Sequence, residues 1–138
     1  MIYTGYFDEI ETYKKRGLVP VCIAGRAPDW YDGVSYKKLA PKKDWWQKWH
    51  DEHLSNAWYH KQYYQTVLSK LDAQKVSRDL AEFGENVVLL CYEKSGEFCH
   101  RNIVSNWLNE NGILSMEYDL QHMTVNSKQL VLSSRDPG

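Results

Sequence analysis

Five residues with chemically useful side chains lie close together in the second half of the chain: Cys91, Glu93, Cys99, His100 and Arg101. A carboxylate and an imidazole can transfer protons, and a thiolate can act as a nucleophile. A guanidinium group binds carboxylates and phosphates through two parallel hydrogen bonds. This combination is typical of a site that binds an anionic molecule and hydrolyses it or transfers a group.

The surrounding sequence predicts a strand, a loop and a helix. The apolar run at 87–93 indicates an interior strand, and Ser95-Gly96 is a turn signal. A helix is then predicted to begin within two residues of Cys99, with one apolar face formed by Ile103, Val104, Trp107 and Leu108. The start of a helix carries unpaired N–H groups and a partial positive charge, which favours an anion beside Arg101 and a thiolate at Cys99.

Each of these residues also has a structural interpretation. Arg101 could pair with Glu93 or Glu97 and fix the loop, and Cys99 could be a small buried residue in a tight turn. Glu93 could orient Arg101 or His100 instead of acting on a substrate. The spacing of the cysteines and the arginine differs from that of thiol phosphatases and rhodaneses, so it does not support that chemistry.

A metal site is a further alternative, formed by Cys91, Cys99 and His100 or by His50 and His53. The spacing is not that of a zinc finger, and there is no second cysteine pair. The prediction is therefore a site without a metal or another cofactor.

The segment 25–44 is predicted to be a long polar and aromatic loop that leaves the end of a second buried strand, 18–24. Open α/β sheets bind ligands at the carboxyl ends of their strands. We therefore expect Arg26 and at least one of Trp30 and Tyr31 to lie near Arg101, where a ring could stack on a flat ligand. The alternative is that the two rings anchor the loop on the core.

The pattern of apolar residues predicts an α/β fold: a single layered domain with a small, mainly parallel sheet flanked by helices. An α+β fold is the alternative, because three consecutive helices are predicted in the middle of the chain.

Tyr3, in the first strand, is expected to place its hydroxyl at the edge of the sheet where the ligand binds. The domain is predicted to span 1–118, and 119–138 is predicted to be an extension with a candidate edge strand at 130–132 and a frayed end. The predicted strands are 2–6, 18–24, 87–93 and 113–118, and the predicted helices are 7–16, 44–53, 56–70, 72–83 and 99–111.

Composition narrows the functional classes. The 17 Lys and Arg residues nearly balance the 18 Asp and Glu residues, which argues against nucleic acid as a partner. An odd number of cysteines, three, favours a reduced protein and a cytoplasmic location. The N-terminus lacks the pattern of a signal peptide, and no apolar run is long enough to cross a membrane.

The segment LLCYEKSGEFCHRNIVSNWL resembles the signature of the domain of unknown function 488 family, a hydrophobic strand followed by Cys-x-Glu and Cys-His-Arg. YTGY at 3–6 and GRAPDWYDGVSYKKLAPKKD at 25–44 are similar to its short members, so the resemblance covers roughly residues 2–118. It implies a fold and the position of a site, but no particular reaction.

The sequence thus predicts a small protein that binds a phosphate-bearing or nucleotide-like molecule, with Glu93, Cys99 and His100 as candidate catalytic residues. The ligand would contact Tyr3, Arg26, Trp30, Tyr31, Cys91 and Arg101. Whether the protein is an enzyme stays open. The alternatives are a module that sequesters its ligand without turnover, or a domain that binds proteins or single-stranded nucleic acid.

Overall fold

The computed structural model describes residues 1–93 and 98–118, and these residues contain one five-stranded parallel sheet. The strands have the order β3-β2-β4-β1-β5. The α/β fold class is therefore confirmed. The strands are β1 (Ile2–Tyr6), β2 (Val19–Cys22), β3 (Val34–Ser35), β4 (Val87–Cys91) and β5 (Ser115–Glu117).

In the part of the chain that the structure describes, five α-helices connect or flank the strands: α1 (Ile10–Lys15), α2 (Lys43–Asp51), α3 (Asn56–Thr66), α4 (Ala73–Ala81) and α5 (His100–Glu110). Local sequence explains several of their ends. Ser55 Oγ accepts a hydrogen bond from the backbone N–H of Trp58 at 3.1 Å and caps α3. Gly17 and Gly112 follow α1 and α5 with φ angles of 84° and 81°, a conformation that glycine adopts without a Cβ clash.

All five residues of β4 are buried, because helices cover both faces of the sheet. Val87 and Leu89 belong to the core under α2, α3, α4 and α5, whereas Val88 and Leu90 belong to the core under α1. This two-sided burial explains why the β4 sequence is a continuous apolar run without alternation. The predictions of an interior strand beginning at Val87 and of a helix beginning near Cys99 are confirmed, although the strand ends at Cys91 and not at Glu93.

The segment 25–44 is more structured than the sequence predicted. It contains the two-residue strand β3, in which Val34 pairs with Val21 of β2, and a 3₁₀ turn at Lys37–Leu39. The strand predicted at 18–24 is shorter and becomes β2. The predictions for Ser95-Gly96 and for 119–138 lie outside the described residues.

The chain leaves the carboxyl ends of the neighbouring strands β2 and β4 in opposite directions. The strand after β2 is β3, at one edge of the sheet, and the strand after β4 is β5, at the opposite edge. Neighbouring strands whose connections leave in opposite directions leave a crevice between them, and α/β proteins bind ligands there. Within the described residues, no helix has the length and apolarity needed to span a membrane.

Candidate functional site

A cavity of about 800 Å³ opens at this crevice. Ligand pockets in proteins commonly measure about 300–1,000 Å³, so a small organic molecule would fit. The end of β2 contributes one wall, the end of β4 and the start of α5 contribute the floor, and α2 and α3 form the opposite wall. The main lining residues are Ala24, Gly25, Arg26, Lys43, Trp46, Trp49, His50, Tyr59, Cys91, Tyr92, Glu93, Phe98, Cys99 and His100.

The wall formed by α2 and α3 is aromatic. Tyr59 packs edge-on against Trp49 at a ring-centroid distance of 4.8 Å and against Phe98 at 5.0 Å. Trp46 stacks in parallel on His50 at 5.2 Å. Mutual contacts hold these rings in place while they still face the cavity, which gives a rigid surface on which a flat ring can stack.

Charged side chains lie around the mouth of the cavity. Arg26 and Lys43 are exposed cations, and Arg26 lies 3.6 Å from the Asp29 carboxylate. The carboxylate of Glu93, at the end of β4, makes no hydrogen bond or ion pair with the residues that the structure describes. Burial, and then the charge of Glu93, raise the pKa of Tyr59, so its hydroxyl remains protonated at neutral pH and can donate a hydrogen bond.

Arg101 does not line the cavity. Its side chain is 0% exposed, and its Nε and one terminal nitrogen each donate to a different carboxylate oxygen of Glu117 at 3.0 Å. The other terminal nitrogen donates to Cys91 Sγ at 3.3 Å, and Thr4 Oγ1 donates to Glu117. The guanidinium group therefore ties α5 to β4 and β5, which agrees with the structural interpretation, although among the described residues its carboxylate partner is Glu117 and not Glu93. Glu97, the other predicted partner, lies outside the described residues.

Cys91 and Cys99 form a disulfide bond at the floor of the cavity, and Cys22 is a free, buried thiol. The expectation that all three cysteines are reduced is therefore corrected. The strand that carries Cys91 and the helix that begins after Cys99 bring the two sulfur atoms together, and sequence spacing alone does not indicate this. In the disulfide form Cys99 has no thiolate and cannot attack a substrate.

His100 is buried in the floor of the cavity, and its two ring nitrogens have different surroundings. Nε2 lies 2.8 Å from the backbone carbonyl oxygen of Ile23. Because a carbonyl only accepts, Nε2 carries the proton and Nδ1 has the lone pair, which points toward Cys99 Sγ at 3.9 Å. Burial lowers the pKa of His100 to about 4, so the imidazole is neutral at neutral pH and is a poor general acid.

The remaining predicted ligand residues lie elsewhere. Trp30 is 58% exposed, and its ring packs against Phe7 at a ring-centroid distance of 6.1 Å. Tyr31 also contacts Phe7, at 5.5 Å, and donates to the backbone oxygen of Val34. Tyr3 packs edge-on against Tyr118. Of the predicted contacts, Arg26, Cys91, Glu93, Cys99 and His100 meet at the cavity.

Sequence reasoning missed the aromatic wall. Three tryptophans at 45–49 are typical of a packed helix or of an exposed interaction surface, and Trp45 is indeed buried. Trp46 and Trp49 are three residues apart and therefore share a helix face, which in this fold faces the cavity. The three-residue spacing of Trp46 and Trp49, directly after the loop that leaves β2, is the sequence feature that could have predicted the aromatic wall.

Comparison with protein families agrees with this architecture. A family model described as "Active DUF488-N3 subclade" matches residues 12–112. The chain belongs to the DUF488 family. The match includes Arg26, the aromatic residues of α2 and α3, and the Cys-His-Arg segment, so the cavity lies within the family's domain. No curated protein and no solved structure matches this DUF488 protein.

Proposed function

We propose that this DUF488 protein is an enzyme that binds a phosphate-bearing, nucleotide-like small molecule in the cavity and hydrolyses it or transfers a group from it. The observation that carries the proposal is the rigid aromatic wall beside two exposed cations, at the edge of the sheet where α/β proteins bind ligands. A flat base would stack on Trp46 or Trp49, and Arg26 and Lys43 would bind the phosphate.

Glu93 is the candidate catalytic group. Its carboxylate lies at the cavity, and Tyr59 beside it supplies a hydroxyl that stays protonated. A carboxylate in this position could act as a general base toward water or stabilise positive charge that develops on the substrate. The disulfide and the neutral His100 leave Glu93 as the group best suited to this role. The description of the matched subclade as active also supports an enzyme.

Binding is tested by isothermal titration of adenine and guanine nucleotides into the wild type and into three tryptophan variants. Stacking of one base contributes about 1–3 kcal/mol in nucleic-acid complexes, so at least one of Trp46→Ala and Trp49→Ala should weaken binding about tenfold or more. Trp30→Ala is the matched control, since Trp30 lies outside the cavity, and should bind like the wild type. The absence of nucleotide binding to the wild-type protein would refute the proposal.

Turnover is tested by chromatography of the same nucleotides after incubation with the wild type and with Glu93→Gln. The amide has the shape of the carboxylate but neither its charge nor its basicity. We expect Glu93→Gln to retain binding and lose turnover. A wild-type protein that binds nucleotides but leaves them intact would instead be a ligand-sequestering module.

A further inference from the structure

We propose that Cys91, Cys99 and His100 form a binding site for a thiophilic divalent cation such as Zn²⁺ when the Cys91–Cys99 bond is reduced. One ligand atom from each residue lies within 4.8 Å of the other two. Within residues 1–93 and 98–118, no other three histidine, cysteine or acidic side chains are grouped in this way. Two thiolates and one imidazole are a ligand set that zinc prefers.

The histidine is already oriented as a metal ligand. A ligating imidazole normally donates its second ring N–H to a carbonyl or carboxylate, which fixes its tautomer. His100 does this through Nε2 and the Ile23 carbonyl, at 2.8 Å. Its Nδ1 lone pair points toward Cys99 Sγ at 3.9 Å, close to the roughly 3.5–3.8 Å expected between donors around a tetrahedral zinc ion.

The surroundings also suit two thiolates. Arg101 places a guanidinium nitrogen 3.3 Å from Cys91 Sγ and would compensate part of the negative charge there. The three ligand residues are buried, but all three line the cavity, so water or a substrate atom could reach a bound ion from the cavity side. Three protein ligands and one open position describe a catalytic zinc site, in which water or a substrate atom completes the coordination.

Binding of Zn²⁺ at this site requires reduction of the Cys91–Cys99 disulfide. A thiol reductant supplies two electrons and two protons, and its own two thiols become a disulfide while the Cys91–Cys99 bond becomes two thiols. Binding of Zn²⁺ then releases both thiol protons to solvent, and His100 contributes a neutral lone pair. After cleavage the two sulfur atoms can move apart to the distance that a tetrahedral ion needs.

The test is a titration of the chemically reduced protein with Co²⁺, which gives thiolate-to-cobalt charge-transfer bands when cysteines bind it. We expect one Co²⁺ per chain in the reduced wild type and in Cys22→Ser, the matched cysteine control. Cys91→Ser and Cys99→Ser should each bind Co²⁺ more weakly and give weaker bands, because one thiolate of the two remains, and His100→Gln should bind at least about tenfold more weakly. The oxidised wild type, a control that needs no substitution, should show no bands, because its disulfide offers no thiolate.

A second measurement does not depend on variants that fold. Zn²⁺ should protect Cys91 and Cys99 of the reduced wild type from alkylation, as counted by peptide mass spectrometry. Absence of charge-transfer bands in the reduced wild type, Cys99→Ser bands and affinity equal to those of the wild type, or alkylation unaffected by Zn²⁺ would each overturn the proposal. Nucleotide titrations of the oxidised protein are independent of this site, so the two proposals can fail separately.

Discussion

Replacement of Arg101 by alanine should destabilise the fold strongly. The side chain is fully buried and makes two hydrogen bonds of 3.0 Å to the Glu117 carboxylate, whose side chain is 27% exposed. Removal of one partner of such a pair leaves an uncompensated charge and typically costs about 3–5 kcal/mol. Because water can reach Glu117, we expect the lower end of this range, about 3 kcal/mol.

The assay is urea unfolding followed by tryptophan fluorescence. With a slope of about 1–3 kcal/mol per M, a loss of about 3 kcal/mol lowers the midpoint by roughly 1–3 M. Arg26→Ala is the matched control, because the Arg26 side chain forms an exposed pair with Asp29 and its loss should leave the midpoint nearly unchanged. The double variant Arg101→Met, Glu117→Met should be less destabilised than Arg101→Ala, since it leaves no unpaired buried charge.

Urea unfolding and nucleotide titration of Arg101→Ala together separate the structural role of Arg101 from the anion-binding role that the sequence suggested. An Arg101→Ala protein with an unchanged unfolding midpoint and no nucleotide affinity would refute the structural role. A lower unfolding midpoint together with nucleotide binding by the folded Arg101→Ala protein would support the structural role.

Two further predictions concern stability. The pKa of His100 is lowered in the folded state, so its contribution is fully present above the unfolded value of 6.5 and is lost as the pH falls toward about 4. The upper limit of this loss is about 3.5 kcal/mol, since one pKa unit corresponds to about 1.4 kcal/mol, and urea midpoints of the oxidised protein measured from pH 7 to 4 should show it. His100→Gln should flatten that dependence, and an equally steep profile in this variant would assign the loss to other groups. Gly5→Ala should destabilise by about 1–3 kcal/mol, because its Cβ would lie within 3 Å of the buried Tyr13 ring. Gly25→Ala, whose Cβ meets nothing within 4 Å, is the control, and equal melting temperatures of the two variants would contradict the packing argument.

The elements that the sequence predicted best are those whose apolar residues are buried in the core. The apolar run at β4 and the face of Ile103, Val104, Trp107 and Leu108 on α5 reflect burial directly, so their positions were predictable. The two-residue strand β3 was not, because its pairing with β2 is a tertiary contact and both of its residues are exposed.

The position of the candidate site in the fold was predictable, but its side-chain contacts were not. The Cys-His-Arg segment and the exit from β2 do meet at one edge of the sheet, as parallel strands require. The partner of Arg101 could not be predicted, because Glu117 is distant in sequence and β5 reaches it only through its pairing with β1. The Trp46 and Trp49 wall depends on how α2 packs across the sheet, which periodicity does not specify.

The most direct test of the proposed function is a crystal structure of the oxidised protein soaked with the nucleotide that binds best in the titrations. We predict difference density for the base against Trp46 or Trp49 and for the phosphate near Arg26 and Lys43. A phosphate bound to Arg101, a base stacked on Trp30, or an empty cavity at saturating nucleotide would contradict the account.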